Sequence, residues 1–120
     1  MSVLAVGTVA FDSIETPFGS RNRILGGSAV YIAFAARYMS DDVRVHGVAG
    51  DDFPQEYIDR LEERGIDTEG LTIEEGKKTF FWSGRYFYDL NQRETLETQL
   101  NVLQSFDPVL PDSYADSDVV

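Results

Sequence analysis

The chain has 120 residues, of which 42% are hydrophobic and 26% charged, so it can bury one small core and is too apolar for a disordered chain. It contains no cysteine, which excludes disulfides, thiolate metal sites and cysteine nucleophiles. The net charge of −11 repels nucleic-acid phosphates and anionic membranes, so we expect neither as a partner.

The sequence also indicates where the protein works. No stretch approaches the roughly 20 apolar residues that a membrane span needs. The start of the chain, residues 1–4, lacks the basic segment of a secretory signal. A chain without cysteine also fits a reducing compartment, so we expect a cytoplasmic protein.

The first part of the chain predicts a strand and a small hairpin. Residues 3–9 are an apolar, β-branched run that we interpret as a buried strand ending at Asp12. The segment 12–16 alternates and predicts a second strand, and a turn at 17–20 leads back through 21–25. Open α/β sheets bind ligands where their strands end, so Asp12 is a candidate to accept hydrogen bonds from ligand hydroxyls. A turn or helix-capping carboxylate is the alternative.

Gly26 and Gly27 precede an almost wholly apolar helix over Ser28–Met39. Two residues without side chains would let a ligand approach the unpaired N–H groups that begin a helix. A phosphate loop is not indicated, because neither G-x-G-x-x-G nor G-x-x-x-x-G-K-[ST] is present. A tight, packed turn is the alternative. Apolar residues cover every face of the helix, so we expect it to be buried on most sides.

The middle of the chain predicts a strand over 43–48 and a helix that begins near Pro54 and ends at a glycine. His46 lies in this strand without a Ser–Asp partner set, which favours a core or edge role over a catalytic one. Asp51 and Asp52 could be metal ligands, but their place before Pro54 favours helix capping. The order strand, hairpin, helix, strand, helix predicts a three-layer α/β fold with a parallel sheet.

The second half is aromatic. Residues 79–88 predict one long strand broken by Gly84, and residues 94–100 alternate as its partner. We expect the two strands to pair with the earlier hairpin in a separate sheet, because a lone hairpin is marginally stable. Alternation places Arg85 on one face and Tyr86 on the other. Either face could contact a ligand, and a sheet that packs its own aromatic rings is the alternative.

The end of the chain predicts a loop and the beginning of a further strand. Residues 106–114 contain two prolines and indicate the loop. Residues 115–120 form a turn followed by two valines, as at the beginning of a core strand. We therefore expect the chain to stop inside a domain.

Three motifs in this order resemble the amino-terminal part of the PfkB, or ribokinase-like, carbohydrate kinases. They are the strand with Asp12 and its hairpin, GGSAVYIAFAA, and VAGDDF followed by Gly65-Ile66-Asp67. KTFFWSGRYFYDLNQRETLETQLNV resembles one bacterial or archaeal branch of that family. The resemblance covers residues 1–120 and implies an incomplete ribokinase-like three-layer α/β/α core. It also implies a small β-sheet lid from approximately 12–25 and 77–100.

The resemblance implies ATP-dependent phosphorylation of a hydroxymethyl group on a sugar or nucleoside. Asp12 would bind substrate hydroxyls, Gly26 and Gly27 would let the backbone approach the sugar, and lid closure would exclude water. Tyr31 and Ala10 stand where ribokinases carry asparagines, which points away from ribose toward a larger or more apolar acceptor. The implied substrate-binding residues are Asp12, Gly26, Gly27, Tyr31 and Arg85.

The catalytic aspartate, anion hole and ATP site of the family follow the point where this chain stops. We therefore assign no catalytic residue and no metal ligand here, expect ATP and Mg²⁺ for the full-length enzyme, and expect the 120 residues alone to be inactive. The alternative is a non-catalytic binding or assembly module with the same fold, because lid sheets of this family often pair between subunits as a homodimer. A Rossmann-like dinucleotide binder is a weaker alternative, since its fingerprint is missing.

Overall fold

The computed structural model describes all 120 residues and contains two β-sheets, two α-helices and two short 3₁₀ helices. The core sheet has the order β1-β4-β5 and is parallel; its strands are β1 (Ser2–Val6), β4 (Asp42–Gly50) and β5 (Ile66–Glu74). The second sheet has the order β3-β2-β6-β7; its strands are β2 (Ala10–Thr16), β3 (Gly19–Gly26), β6 (Phe80–Tyr86) and β7 (Arg93–Gln99). The helices are α1 (Ser28–Ala36) and α2 (Gln55–Glu63), and the 3₁₀ segments are Asn101–Ser105 and Asp112–Tyr114.

The core lies between the parallel sheet and the two α-helices, and Phe11 and Phe81 of the second sheet join it. Val43, Val45 and Ala49 alternate along β4 and join the buried cluster that holds residues of α1 and α2. The intervening His46 faces the other side, where it packs against Phe106 after the first 3₁₀ segment. Both helices therefore cover one face of the sheet, and the 3₁₀ segments cover the other. The predicted α/β class and parallel sheet are confirmed.

The end of the chain extends the core sheet, as its two valines predict. Val119 forms an isolated parallel bridge with Val3 and exchanges backbone hydrogen bonds with Ser2 and Leu4. A single bridged residue, Val119, thus lies on the free side of β1. No helix in the structure combines the length and the apolar character that crossing a membrane requires.

The first apolar run spans two strands of different sheets, which corrects the single strand expected over 3–9. β1 ends at Val6, and the chain turns at Gly7 and Thr8 before β2 begins at Ala10. The run looks continuous because residues 9–11 are buried between the sheets. Asp12 therefore lies within the second sheet and not where a core strand ends.

Two expectations for the first helix, its end at Met39 and its burial on most sides, need correction. The first helix ends at Ala36, and only Ala29, Val30 and Ala33 are buried, because a single face meets the core sheet. Tyr31 and Ile32 on the other side remain about half exposed, at 52% and 47%. Strand β5 had no sequence signal, since its segment IDTEGLTIE is mostly polar and only Ile66 and Gly70 within it are buried.

The predicted second sheet is present, and it joins two distant parts of the chain. The hairpin of β2 and β3 pairs with β6 and β7 through parallel hydrogen bonding between β2 and β6. Asp12 stands beside Trp82 in this register, and Ile14 stands beside Gly84. The helix predicted from Pro54 is also present, with Gly65 at a φ of 78° directly after it.

A buried hydrogen-bond network attaches the second sheet to the core, and it corrects the helix-capping role expected for Asp52. Asp52 Oδ1 accepts hydrogen bonds from the Thr79 hydroxyl at 2.7 Å and from the Thr79 N–H at 2.8 Å. The same hydroxyl accepts the Gly50 N–H at 3.0 Å. The other Asp52 carboxylate oxygen faces the Arg23 guanidinium at 3.8 Å. Asp51 likewise accepts the Gly76 N–H, and α2 has no side-chain cap.

Replacing Thr79 tests this joint. Thr79→Val keeps the shape of the side chain but removes the hydroxyl, so the buried Gly50 N–H loses its acceptor and Asp52 loses a donor. We expect urea unfolding to show a loss of about 1–3 kcal/mol. The exposed Thr98→Val in β7 is the matched control and should change stability by less than about 0.5 kcal/mol. Equal unfolding midpoints for the two variants would contradict a joint at Thr79.

Candidate functional site

A cavity of about 510 Å³ lies between the beginning of α1 and one face of the second sheet. It is the largest of five cavities, the next measuring about 320 Å³. Its volume falls in the range of small-molecule sites. Its side chains include four aromatic rings, one carboxylate and one guanidinium: Tyr31, Phe80, Trp82, Tyr86, Asp12 and Arg93.

The position of Asp12 depends on an irregular strand and on Gly26. The register between β2 and β3 shifts between Asp12 and Ile14, whereas the pairing of β2 with β6 is continuous through residues 10–15. The carboxylate lies directly on the backbone of Gly26, and a methyl group there would overlap it. Gly26 thus lies beneath Asp12 and is buried, whereas Gly27 borders the cavity itself.

The electrostatics of the site centre on Asp12 and Tyr31. Burial raises the pKa of Asp12, and hydrogen bonds from the Tyr31 hydroxyl and the Gly27 N–H lower it without offsetting burial. Burial also raises the pKa of Tyr31, and the adjacent Asp12 charge and the hydrogen bond to Asp12 raise it further. Tyr31 therefore remains a neutral donor near pH 7. A buried carboxylate with few donors gains most from ligand hydroxyl groups that replace water.

Thr8 forms hydrogen bonds with the first residues of α1. Its hydroxyl accepts the Ser28 N–H at 2.8 Å, and its carbonyl accepts the Ala29 N–H at 3.0 Å. The Ser28 hydroxyl in turn accepts the Thr8 N–H at 3.2 Å. These helix N–H groups are therefore not free for a ligand. Gly27 has a φ of 99° and packs against Thr8, where a side chain would overlap the Thr8 carbonyl.

The structure brings Asp12, Gly27 and Tyr31 together but places Arg85 elsewhere. Arg85 lies on the opposite face of β6 and pairs with Glu15 at 3.3 Å and with Glu94 at 3.8 Å. Its neighbour Tyr86 borders the cavity instead.

Sequence reasoning missed Thr8, Trp82 and Arg93. Alternation along β6 already places residues 80, 82, 84 and 86 on one face. Only the register between β2 and β6 shows that this is the face of Asp12. Arg93 begins β7 beside Tyr86, and its position depends on the hairpin between β6 and β7.

The remaining candidates lie outside the site. His46 is buried, and its Nδ1 lies 3.0 Å from the Gly70 carbonyl, as expected for a core histidine. No group of three or more histidine, aspartate or glutamate side chains is arranged to hold a metal ion.

Comparison with solved structures identifies the fold. A nucleoside kinase from Burkholderia thailandensis in complex with inosine is 24% identical with a TM-score of 0.73, over 83% of this chain and 37% of that chain. A ribokinase from Cryptococcus neoformans var. grubii serotype A in complex with ADP is 22% identical with a TM-score of 0.76, over 97% and 40%. A nucleoside kinase from Methanocaldococcus jannaschii, an archaeal member of the ribokinase family, is 20% identical with a TM-score of 0.71, over 86% and 38%.

The chain thus has a ribokinase-like fold and spans about two fifths of the length of these structures. The resemblance seen in the sequence motifs is confirmed at the level of the fold. No protein-family model matches the chain, and no curated protein sequence does so.

Gly27→Ala tests the packing that begins α1. The new side chain would meet the Thr8 carbonyl and adopt a positive φ, so we expect a loss of about 3–5 kcal/mol in urea unfolding. Gly76→Ala is the matched control, because its φ is also positive at 75° but nothing lies near the added methyl group. Its loss should be only about 1–2 kcal/mol. Similar losses in both variants would show that Thr8 does not constrain Gly27.

The raised pKa of Asp12 predicts a pH dependence of stability. Because the folded state holds the Asp12 proton more tightly than the unfolded state, ionisation of Asp12 favours unfolding. Below pH 3.8, the ordinary pKa, Asp12 is protonated in both states and does not affect stability. As pH rises from there through the higher pKa of the folded state, the protein should lose stability. Asp12→Asn should lack this decrease and be more stable than the wild type at neutral pH.

The measurement is the free energy of urea unfolding as a function of pH for wild type and Asp12→Asn. Asp107→Asn, a change at an exposed loop aspartate, is the control and should follow the wild-type curve. A wild type that gains stability relative to Asp12→Asn as pH rises would show that hydrogen bonds at Asp12 outweigh its burial.

Proposed function

We propose that this chain supplies the acceptor-binding corner and the lid of an ATP-dependent kinase that phosphorylates a hydroxymethyl group on a sugar or nucleoside. One observation carries the proposal. Asp12 presents a largely buried carboxylate to a cavity bounded by α1 and by an aromatic sheet. Such a carboxylate accepts hydrogen bonds from neighbouring hydroxyl groups and orients the ligand that bears them.

The second sheet suits the role of a lid. Its aromatic face borders the cavity, while Phe11 and Phe81 and the Asp52–Thr79 network join it to the core. A sheet that covers the bound acceptor would exclude water, which strengthens the hydrogen bonds at Asp12. In this proposal, Asp12 and Tyr31 bind and orient the acceptor, and Gly26 makes room for the carboxylate. Arg85 fastens β2 to β7 through its two carboxylate partners.

The described residues do not fit a nucleoside triphosphate or its magnesium ion. The N–H groups of Ser28 and Ala29 at the beginning of α1 are donated to Thr8, and Arg93 is the one cationic side chain that borders the cavity. We therefore derive no step through ATP from these residues. The Cryptococcus ribokinase structure contains ADP, which supports nucleotide as the phosphoryl donor of the whole protein. We also propose a cytoplasmic enzyme, because a chain without cysteine fits a reducing compartment.

Assembly through the second sheet is the alternative function. Every residue of β7 is exposed, and β7 is an edge strand with an unpaired side. Exposed edge strands pair readily with another chain, so two copies could join their sheets as a homodimer. A kinase could also form such a dimer. If the whole protein transfers no phosphoryl group, the dimer would be a non-catalytic binding or assembly module.

An ADP-release assay over a panel of sugars and nucleosides, performed on the whole protein, tests the kinase. We expect acceptor-dependent ADP release that the 120 residues alone do not give. Asp12→Ala should raise the KM for the acceptor by about 10- to 100-fold, because a charge-assisted hydrogen bond is lost. The KM for ATP should change by less than about twofold.

Asp107→Ala, in an exposed loop away from the cavity, is the control and should leave both KM values unchanged. Equal effects of Asp12→Ala on acceptor and ATP would refute the role given to Asp12. Binding of an acceptor without ADP release in the whole protein would favour the non-catalytic module.

A further inference from the structure

The sheet face that borders the cavity is built around Trp82, the only tryptophan of the chain. Gly84 follows two residues later on the same face of β6 and is buried beneath the indole. A methyl group on Gly84 would overlap the indole ring, whose atoms are its three nearest neighbours. The indole therefore lies flat along the strand, in close contact with the Gly84 backbone. Gly84, which looks like a strand break in the sequence, makes room for the indole ring of Trp82.

Two side chains of β7 hold this ring in place. The indole Nε1–H lies 3.3 Å from the Thr95 hydroxyl, to which it donates a hydrogen bond. The Arg93 guanidinium lies 5.6 Å from the ring centroid, within the range of a cation–π interaction. The ring is thus oriented without any ligand, and Trp82 and Arg93 both border the cavity. A preorganised ring of this kind binds a planar group at a low entropic cost.

The indole stands next to the carboxylate. Trp82 and Asp12 are partners in the parallel register of β6 and β2, and adjacent strands lie roughly 4.8 Å apart. Phe80 and Tyr86, the alternate residues of β6, continue the aromatic wall on either side of Trp82. A ligand whose hydroxyl groups bind Asp12 therefore meets aromatic surface with the rest of its body. A free sugar can lay only a small C–H face on that surface, whereas a planar base covers more of it and stacks on the rings.

We infer that the acceptor is a nucleoside, whose ribose hydroxyls bind Asp12 and whose base stacks on Trp82. The inference rests on the proposed function and narrows its acceptor class. A phosphorylated sugar fits the cavity less well, because Arg93 is the one cation that borders it and the Asp12 carboxylate would repel the phosphate. Arg93 forms no ion pair with a protein carboxylate, and its guanidinium can lie against the base as it lies against the indole.

Binding measurements with adenosine, uridine, ribose and ribose 5-phosphate test the inference. By calorimetry, we expect both nucleosides to bind at least about tenfold more tightly than ribose, as base–aromatic stacking provides. They should also quench the fluorescence of Trp82, and ribose should not. Trp82→Leu should weaken nucleoside binding by about tenfold or more and leave ribose binding unchanged. Gly84→Ala leaves Trp82 in the chain but pushes its indole out of position, so it should also weaken nucleoside binding.

Ribose binding in each variant reports whether its site still folds. Tyr88→Leu, which replaces an exposed aromatic residue outside the cavity, is the matched control and should bind all ligands like the wild type. Nucleosides that bind no more tightly than ribose, with no effect of Trp82→Leu, would overturn the inference and leave the kinase proposal standing. Tighter binding of ribose 5-phosphate that depends on Arg93 would overturn it in favour of a phosphorylated acceptor. Binding of all four ligands that is indifferent to Asp12→Ala would overturn the proposed function as well.

Discussion

The structure depends on the reciprocal hydrogen bonds between Thr8 and the beginning of α1. Thr8 receives the N–H groups of Ser28 and Ala29 and donates its own N–H to the Ser28 hydroxyl. These bonds fix the point where the chain leaves the core sheet and enters the second sheet. Asp12 and Tyr31 follow four residues after Thr8 and Gly27 respectively, so one contact sets the positions of both. Gly27 accommodates it because its positive φ and missing side chain leave room for the Thr8 carbonyl.

The site concentrates features that oppose stability, and the joint next to it compensates for them. The ionised Asp12 carboxylate is disfavoured by its burial, and four aromatic side chains border an open cavity. The compensation lies at Thr79, whose buried hydroxyl donates to Asp52 Oδ1 and accepts the Gly50 N–H. Arg23 adds packing there, because its guanidinium lies over the rings of Phe11 and Phe81. Protein sites that bind ligands are commonly the less stable parts of a fold.

Sequence patterns predict the elements of this chain better than they predict its site. Period-2 and helical patterns locate the hairpin, both helices and the aromatic strands, and a family motif leads to Asp12 and the glycines. The polar strand β5 escapes detection because its pairing with β4 stabilises it, while its own composition does not favour a strand. Trp82 and Arg93 escape because their place beside Asp12 follows from the parallel register of β2 and β6, which no local pattern encodes. Arg85 was expected to bind substrate, but it lies on the other face of β6. Alternation gives the two faces of that strand, and only the neighbouring strand shows which of them borders the cavity.

The pairing of β2 with β6 also has a consequence for the order of folding. Arg85 and Glu15, which face each other across this pair, are 70 residues apart in the chain. The hairpin of β2 and β3 can form locally, but its second edge stays open until the core strands, both helices and β6 have been made. Contacts at such separation form slowly because a long loop must first close. We therefore expect the cavity beside Asp12 to assemble late, and during synthesis the hairpin edge is exposed to pairing with other chains.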